Sequence, residues 1–112
     1  MDLDELKRGV RGYQALCGGI SDAVRAGTYT EAAFSKRLAR SRAFIAELAA
    51  SDDVRLRKVS AAMAVILADL PRIDNDYFDA RLRKNCRKFN EIMTEVAVDG
   101  EALIDRVRFQ TV

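Results

Sequence analysis

The chain has 112 residues, 49% of them apolar and 32% charged, which suits one folded domain with its own core and excludes a disordered chain. With 19 basic and 17 acidic side chains the net charge is only +2, so attraction to nucleic acid or to an anionic membrane would have to come from local clustering. Histidine is absent, and the two cysteines, Cys17 and Cys86, have no CxxC spacing; the usual zinc ligand sets are excluded, and free buried thiols in a reducing compartment are expected.

A first helix is predicted over residues 2–26, with Leu3, Leu6, Val10, Tyr13, Cys17, Ile20 and Val24 on its apolar face and Gly27 closing it. Gly9, Gly12, Gly18 and Gly19 would each cost roughly 1 kcal/mol against alanine in a helix interior, so this segment must gain stability from packing, and a break near Gly18 is one outcome. Gly12, Ala15, Gly19, Ala23 and Ala26 form a smooth stripe beside the apolar face. Such a stripe reads first as close packing against a helix of the same domain and second as a contact for a partner helix. The acidic start, Met1-Asp2-Leu3-Asp4-Glu5-Leu6, is unlike a secretory signal.

The second helix is predicted over residues 28–50, opened by a capping box of Thr28 and Glu31. Phe34, Leu38, Ile45 and Leu48 form a bulky face, while Ala32, Ala39, Ala43, Ala46 and Ala50 form a smooth face almost opposite, as if the helix were sandwiched between two layers. Ser51 is the expected cap of a third helix over residues 53–70. There Leu56, Val59, Ala62, Met63, Ile66, Leu67 and Leu70 share one face until Pro71 stops the run. Its second half, residues 61–68, is apolar nearly all round and should be covered on most sides; it is also the longest apolar run, far short of the roughly 20 residues that span a bilayer. A cytoplasmic protein without membrane contact is expected.

Ile73 and Phe78 fit a hydrophobic staple around Asp74, opening a fourth helix that runs to about residue 98 through Leu82, Cys86, Phe89, Met93 and Val96. Asp99-Gly100 ends it, and Leu103, Ile104 and Val107 suggest a short fifth helix, with residues 107–112 extended as the other option. Short connections favour antiparallel neighbours, so the expected fold is a compact all-α bundle of four to five helices, one domain over residues 1–112.

Catalytic signals are weak. Without histidine, chemistry would fall to carboxylates, lysine, cysteine or a metal, and none is arranged recognisably; Ser21 lacks the G-x-S-x-G frame. Asp74, Asp76 and Asp79 lack the calcium-loop spacing and read as helix-capping acids, so no metal or cofactor is expected, and no small-molecule substrate is evident. Gly9-Val10-Arg11-Gly12, beside Lys7 and Arg8, has the G-x-x-G spacing of KH nucleic-acid loops but lies inside a helical pattern with no predicted strand.

The main surface signal is on the fourth helix, where Arg81, Arg83, Lys84, Arg87 and Lys88 occur without an intervening acid and Tyr77, Arg81, Lys84 and Lys88 align along one face. That face could meet phosphates or an acidic partner helix. Asp79 before Arg83 and Glu91 after Arg87 equally fit a solvated face with helical ion pairs, which is the ordinary reading. Further basic stretches are Lys36, Arg37, Arg40 and Arg42 on the second helix and Arg55, Arg57 and Lys58 on the third.

Gly27-Thr28-Tyr29-Thr30-Glu31-Ala32, with Ala39 in step, resembles the turn and second-helix start of a tetratricopeptide repeat over about a dozen residues. Lys36 stands where that repeat has an aromatic residue, and no copy recurs at a period near 34, so the resemblance implies only a tight helical hairpin.

The leading expectation is a non-enzymatic protein acting through protein contacts, as an adaptor, chaperone-like factor, regulator or self-associating subunit. Gly12, Ala15, Gly19, Ala23, Ala39, Ala43 and Ala46 are the candidate contacts for a homodimer or protein partner. The alternative is nucleic-acid binding through the fourth helix.

Overall fold

The computed structural model describes residues 1–73 and 76–96, with side chains for all of these except 76–79. Helix α1, Leu3–Arg25, starts where Asp2 accepts the amide of Glu5 at 2.8 Å; Asp4 and Glu5 then complement the positive end of the helix dipole. It runs unbroken through Gly18. At its end the Gly27 amide donates to the Val24 carbonyl at 3.1 Å and the Thr28 amide to the Ala23 carbonyl at 2.9 Å, a Schellman closure that Gly27 permits with φ of 73°.

That closure moves the start of the second helix. The Thr28 hydroxyl turns back to the Ala23 carbonyl, so the expected Thr28–Glu31 capping box is not made; the Thr30 hydroxyl instead accepts the Ala33 amide at 3.3 Å. A 3-10 turn, Ala32–Phe34, leads into α2, Ser35–Ala49, and Tyr29 stacks on Phe34 with ring centroids 5.6 Å apart. The cap of α3, Val54–Asp69, also differs from expectation: the Asp53 carboxylate accepts the Arg55 amide at 2.9 Å, while the Ser51 hydroxyl accepts the Asp53 amide one step earlier. Asp53 sits one residue before the first helical turn, where its carboxylate reaches the exposed amides.

Pro71 ends α3 in a 3-10 turn, Leu70–Arg72, and α4 spans Asp76–Glu95. The expected cap Asp74, the side chain of its staple residue Phe78 and the candidate fifth helix lie outside the described residues and side chains, as does the stretch of the fourth helix expected beyond Val96.

The protein is an all-α bundle. Helix α3 packs along α2 on one side and α4 on the other, and α1 lies across α2 and the turn Leu70–Arg72. Leu6 shares a cleft with Glu95 and Val96 while the Tyr13 ring sits 5.6 Å from Phe89, so α1 and α4 run antiparallel. One core joins Val10, Leu16, Ile20, Leu48, Met63, Ile66, Leu82 and Phe89, and the Tyr13 hydroxyl donates to the Met63 carbonyl at 2.8 Å inside it. Leu16, outside the face assigned from periodicity, is fully buried because α1 is flanked on two sides.

Two burial expectations are corrected. Ala32, Ala39, Ala43, Ala46 and Ala50 of the α2 side are not buried, so α2 is covered on its bulky face alone. In α3, Ala62, Met63 and Ile66 are buried but Ala61, Ala64 and Ala68 are exposed. In both helices the large side chains take most inner positions, where removing apolar area from water gains most, and every alanine but Ala62 is left outside. Among the described residues no helix is long and apolar enough to cross a membrane.

Candidate functional site: an arginine-rimmed groove

The basic face of α4 is partly used by the fold. Asp69, at the end of α3, has a side chain only 1% exposed, and Arg81 clamps it with two hydrogen bonds, Nε to Oδ2 at 2.7 Å and Nη2 to Oδ1. A buried carboxylate needs such a partner. Arg81 is thereby a structural residue, which the sequence pattern could not reveal because Asp69 is 12 positions away inside another helix. Lys84, Arg87 and Lys88 lie on the outer side of α4, Arg83 is half-buried, and the Tyr77 side chain lies outside those described. The expected Arg87–Glu91 helical ion pair is not formed. On the other basic stretches, Arg55 pairs with Asp53 at 2.8 Å, the Arg57 guanidinium donates to the Ser51 carbonyl at 2.8 Å, and Arg42 meets Glu31 at 3.5 Å.

The cysteines offer no reactive thiol. Cys17 and Cys86 are free and buried; burial pushes the Cys86 thiol up to about 12 and the Cys17 thiol higher still, so neither supplies thiolate near neutral pH.

The small-residue stripe of α1 divides in two. Gly19 is covered: a Cβ there would lie 3.3 Å from the Phe34 ring and 3.4 Å from an Arg37 guanidinium nitrogen, and Ala23 packs against the core. Gly12 and Ala15 stay exposed, and a Cβ on Gly12 would meet nothing within 4 Å. These two residues belong to a groove between α1 and α2 of about 400 Å³, with Gly9 and Tyr13 beneath and Phe44 as one wall. Gly9 is what lets the two helices meet at that wall, since a Cβ there would fall 2.2 Å from Phe44 Cε1.

Three arginines line this groove: Arg8 from α1, Arg37 and Arg40 from α2. No carboxylate among the described residues pairs with any of them; Arg37 instead lies over the Phe34 ring, 4.8 Å from its centroid. Ser41 also lines the groove. It is 6% exposed, and its hydroxyl makes no hydrogen bond to a described residue, whereas the other buried polar side chains, Gln14, Ser21, Ser60 and Asp69, are all engaged. Periodicity placed Gly12 and Ala15 on a stripe and Arg37 and Arg40 in a basic stretch; only the α1–α2 crossing unites them with Arg8 and Ser41.

No protein-family model, curated protein or solved structure matches this chain.

Proposed function

We propose that this chain is a non-enzymatic helical docking protein that works through protein contacts on its α1–α2 face. The observation that carries this reading is the groove itself: an apolar slot holding an unpartnered buried hydroxyl and rimmed by three arginines that no carboxylate of the described residues neutralises. The arginines are exposed to water, but a buried hydroxyl that served folding alone would find a partner inside the bundle, as the Asp69 carboxylate does. Ala39, Ala43 and Ala46 are left outside the core on another side of α2 and do not line this groove.

The test is Gly12→Leu, which fills the slot where a Cβ has open space. The wild-type chain should run as a larger complex in extracts of the cells that produce it, read by size-exclusion with an antibody to the chain, and the variant should melt at or above the wild-type temperature and lose that complex. A Gly12→Leu chain that still forms the same complex overturns this site as the contact.

The outward-facing cations Lys84, Arg87 and Lys88, which form no ion pair with a described carboxylate, support nucleic-acid binding as a second reading. It requires affinity for RNA or DNA that falls steeply with salt and is lost in Lys84→Glu with Lys88→Glu.

A further inference from the structure

The groove's chemistry narrows what can fill it. Arg8 and Arg37 mark opposite ends: Arg8 adjoins Gly9, and the Arg37 guanidinium is held beside Gly19, about 15 Å further along α1 at 1.5 Å per residue. A single carboxylate or phosphate does not span from Arg8 to the Arg37 guanidinium, so the charge pattern calls for more than one anion spaced along one body. Between Arg8 and Ala15 the open floor covers about two helical turns, the span over which a docked helix presents side chains at i, i+3, i+4 and i+7. Gly12 and Ala15 leave room for the backbone of such a helix to come close.

Ser41 adds the second constraint. A purely aliphatic anchor entering the slot would seal its hydroxyl away from water without a partner, at the cost of an unmade buried hydrogen bond. Tyrosine and tryptophan carry an apolar body with a hydrogen-bonding tip and answer both needs. We infer that the α1–α2 groove receives an acidic amphipathic helix of a partner protein, anchored by one tyrosine or tryptophan whose polar tip reaches Ser41 while carboxylates on the same helix meet Arg8, Arg37 and Arg40. This rests on the docking reading above and names the partner's chemistry.

The experiment is a selection from a displayed helical-peptide library, randomised at surface positions, against the full chain, with Gly12→Leu as the counter-target. Peptides that bind the wild-type chain and not the counter-target should be enriched in Asp and Glu around a single Tyr or Trp. Replacing that residue by Phe in a selected peptide should weaken binding by about fivefold or more, the loss expected for one unmade buried hydrogen bond. The Ser41→Ala chain should lose the Tyr-over-Phe preference, and Arg8→Glu with Arg37→Glu and Arg40→Glu should turn the selection toward Lys and Arg. Groove-dependent binders that are basic, or indifferent to Tyr versus Phe, overturn the inference. So does an absence of groove-dependent binders, or a concentration-dependent dimer of the chain that Gly12→Leu abolishes, which would make a second copy the occupant. If the cellular complex is still lost in Gly12→Leu, those results overturn the partner's chemistry alone; a complex that survives removes the docking reading with it.

Discussion

The α3–α4 side and the α1–α2 side of this bundle are built from helices of similar length and finished to different degrees. Between α3 and α4 the buried carboxylate of Asp69 is met by both arms of the Arg81 guanidinium. Between α1 and α2 the Ser41 hydroxyl has no partner among the described residues, Arg8 and Arg40 have no acid there, and Gly12 faces open space. A polar group sealed from water without a partner costs about 1–3 kcal/mol; the chain meets this demand for Asp69 with its own Arg81 and leaves the Ser41 hydroxyl facing the groove. One bundle can thus close one helix pair with its own side chains and leave a groove in another, and the docking proposal rests on that contrast.

The largest expected effect tests the finished side. Arg81→Ala strands a carboxylate whose side chain is 1% exposed, and the loss should be about 3 kcal/mol, at the lower end of the range for breaking a buried pair because Arg81 itself is 40% exposed. Arg8→Ala and Arg40→Ala should each change stability by less than about 0.5 kcal/mol, as exposed residues without ion pairs do. Urea unfolding of the three variants measures the contrast, and equal losses would break it. The same result bears on nucleic acid: weakened binding in an Arg81 variant would report a damaged fold, so Lys84 and Lys88 are the positions to change.

Sequence periodicity reaches the inner faces of the helices on both sides further than it reaches the contacts made where two helices meet. The helix number over the described residues, the inner positions of Leu38, Leu48, Met63 and Ile66, and the closing role of Gly27 all follow from local spacing and backbone chemistry. Caps are less legible where two candidates lie close together: Thr28 is drawn into the α1 closure and Asp53 outcompetes Ser51. The groove is least legible. Arg8 and Ser41 are 33 positions apart, and no local pattern tells that they line one slot, that Phe44 closes over Gly9, or that Arg81 is drawn inward by Asp69. Each of these depends on how two helices cross.

The glycines of α1 sharpen the contrast at a smaller scale. Gly9→Ala places a methyl 2.2 to 2.6 Å from three atoms of the Phe44 ring, so the ring must move; overpacking outweighs the gain in helix propensity, for a net loss of about 1 kcal/mol. A methyl added at Gly18 would meet no atom within 4 Å, and this residue lies outside the groove, so Gly18→Ala should stabilise by up to about 1 kcal/mol. Thermal melts should therefore move in opposite directions by about 4 °C each. A gain in both variants would show that Phe44 does not hold the α1–α2 contact.

The smallest effect is at the start of α3 and concerns acid. Arg55 donates its Nε at 3.1 Å, its Nη2 at 2.8 Å and its amide at 2.9 Å to Asp53, and the side-chain hydrogen bonds foremost hold that carboxyl at about 2, below its usual 3.8. Because the folded value is the lower one, the charged cap stabilises the helix fully above the unfolded value, and its contribution fades as pH falls through the folded value. A carbon-detected NMR titration should place the Asp53 midpoint near 2, and Arg55→Ala should raise it toward 3.8. First-turn amides of α3 should keep their exchange protection at pH 3 in the wild-type chain and lose part of it in Arg55→Ala. An Asp53 midpoint at the usual value in the wild-type chain would show that the Arg55 fork is not held in solution.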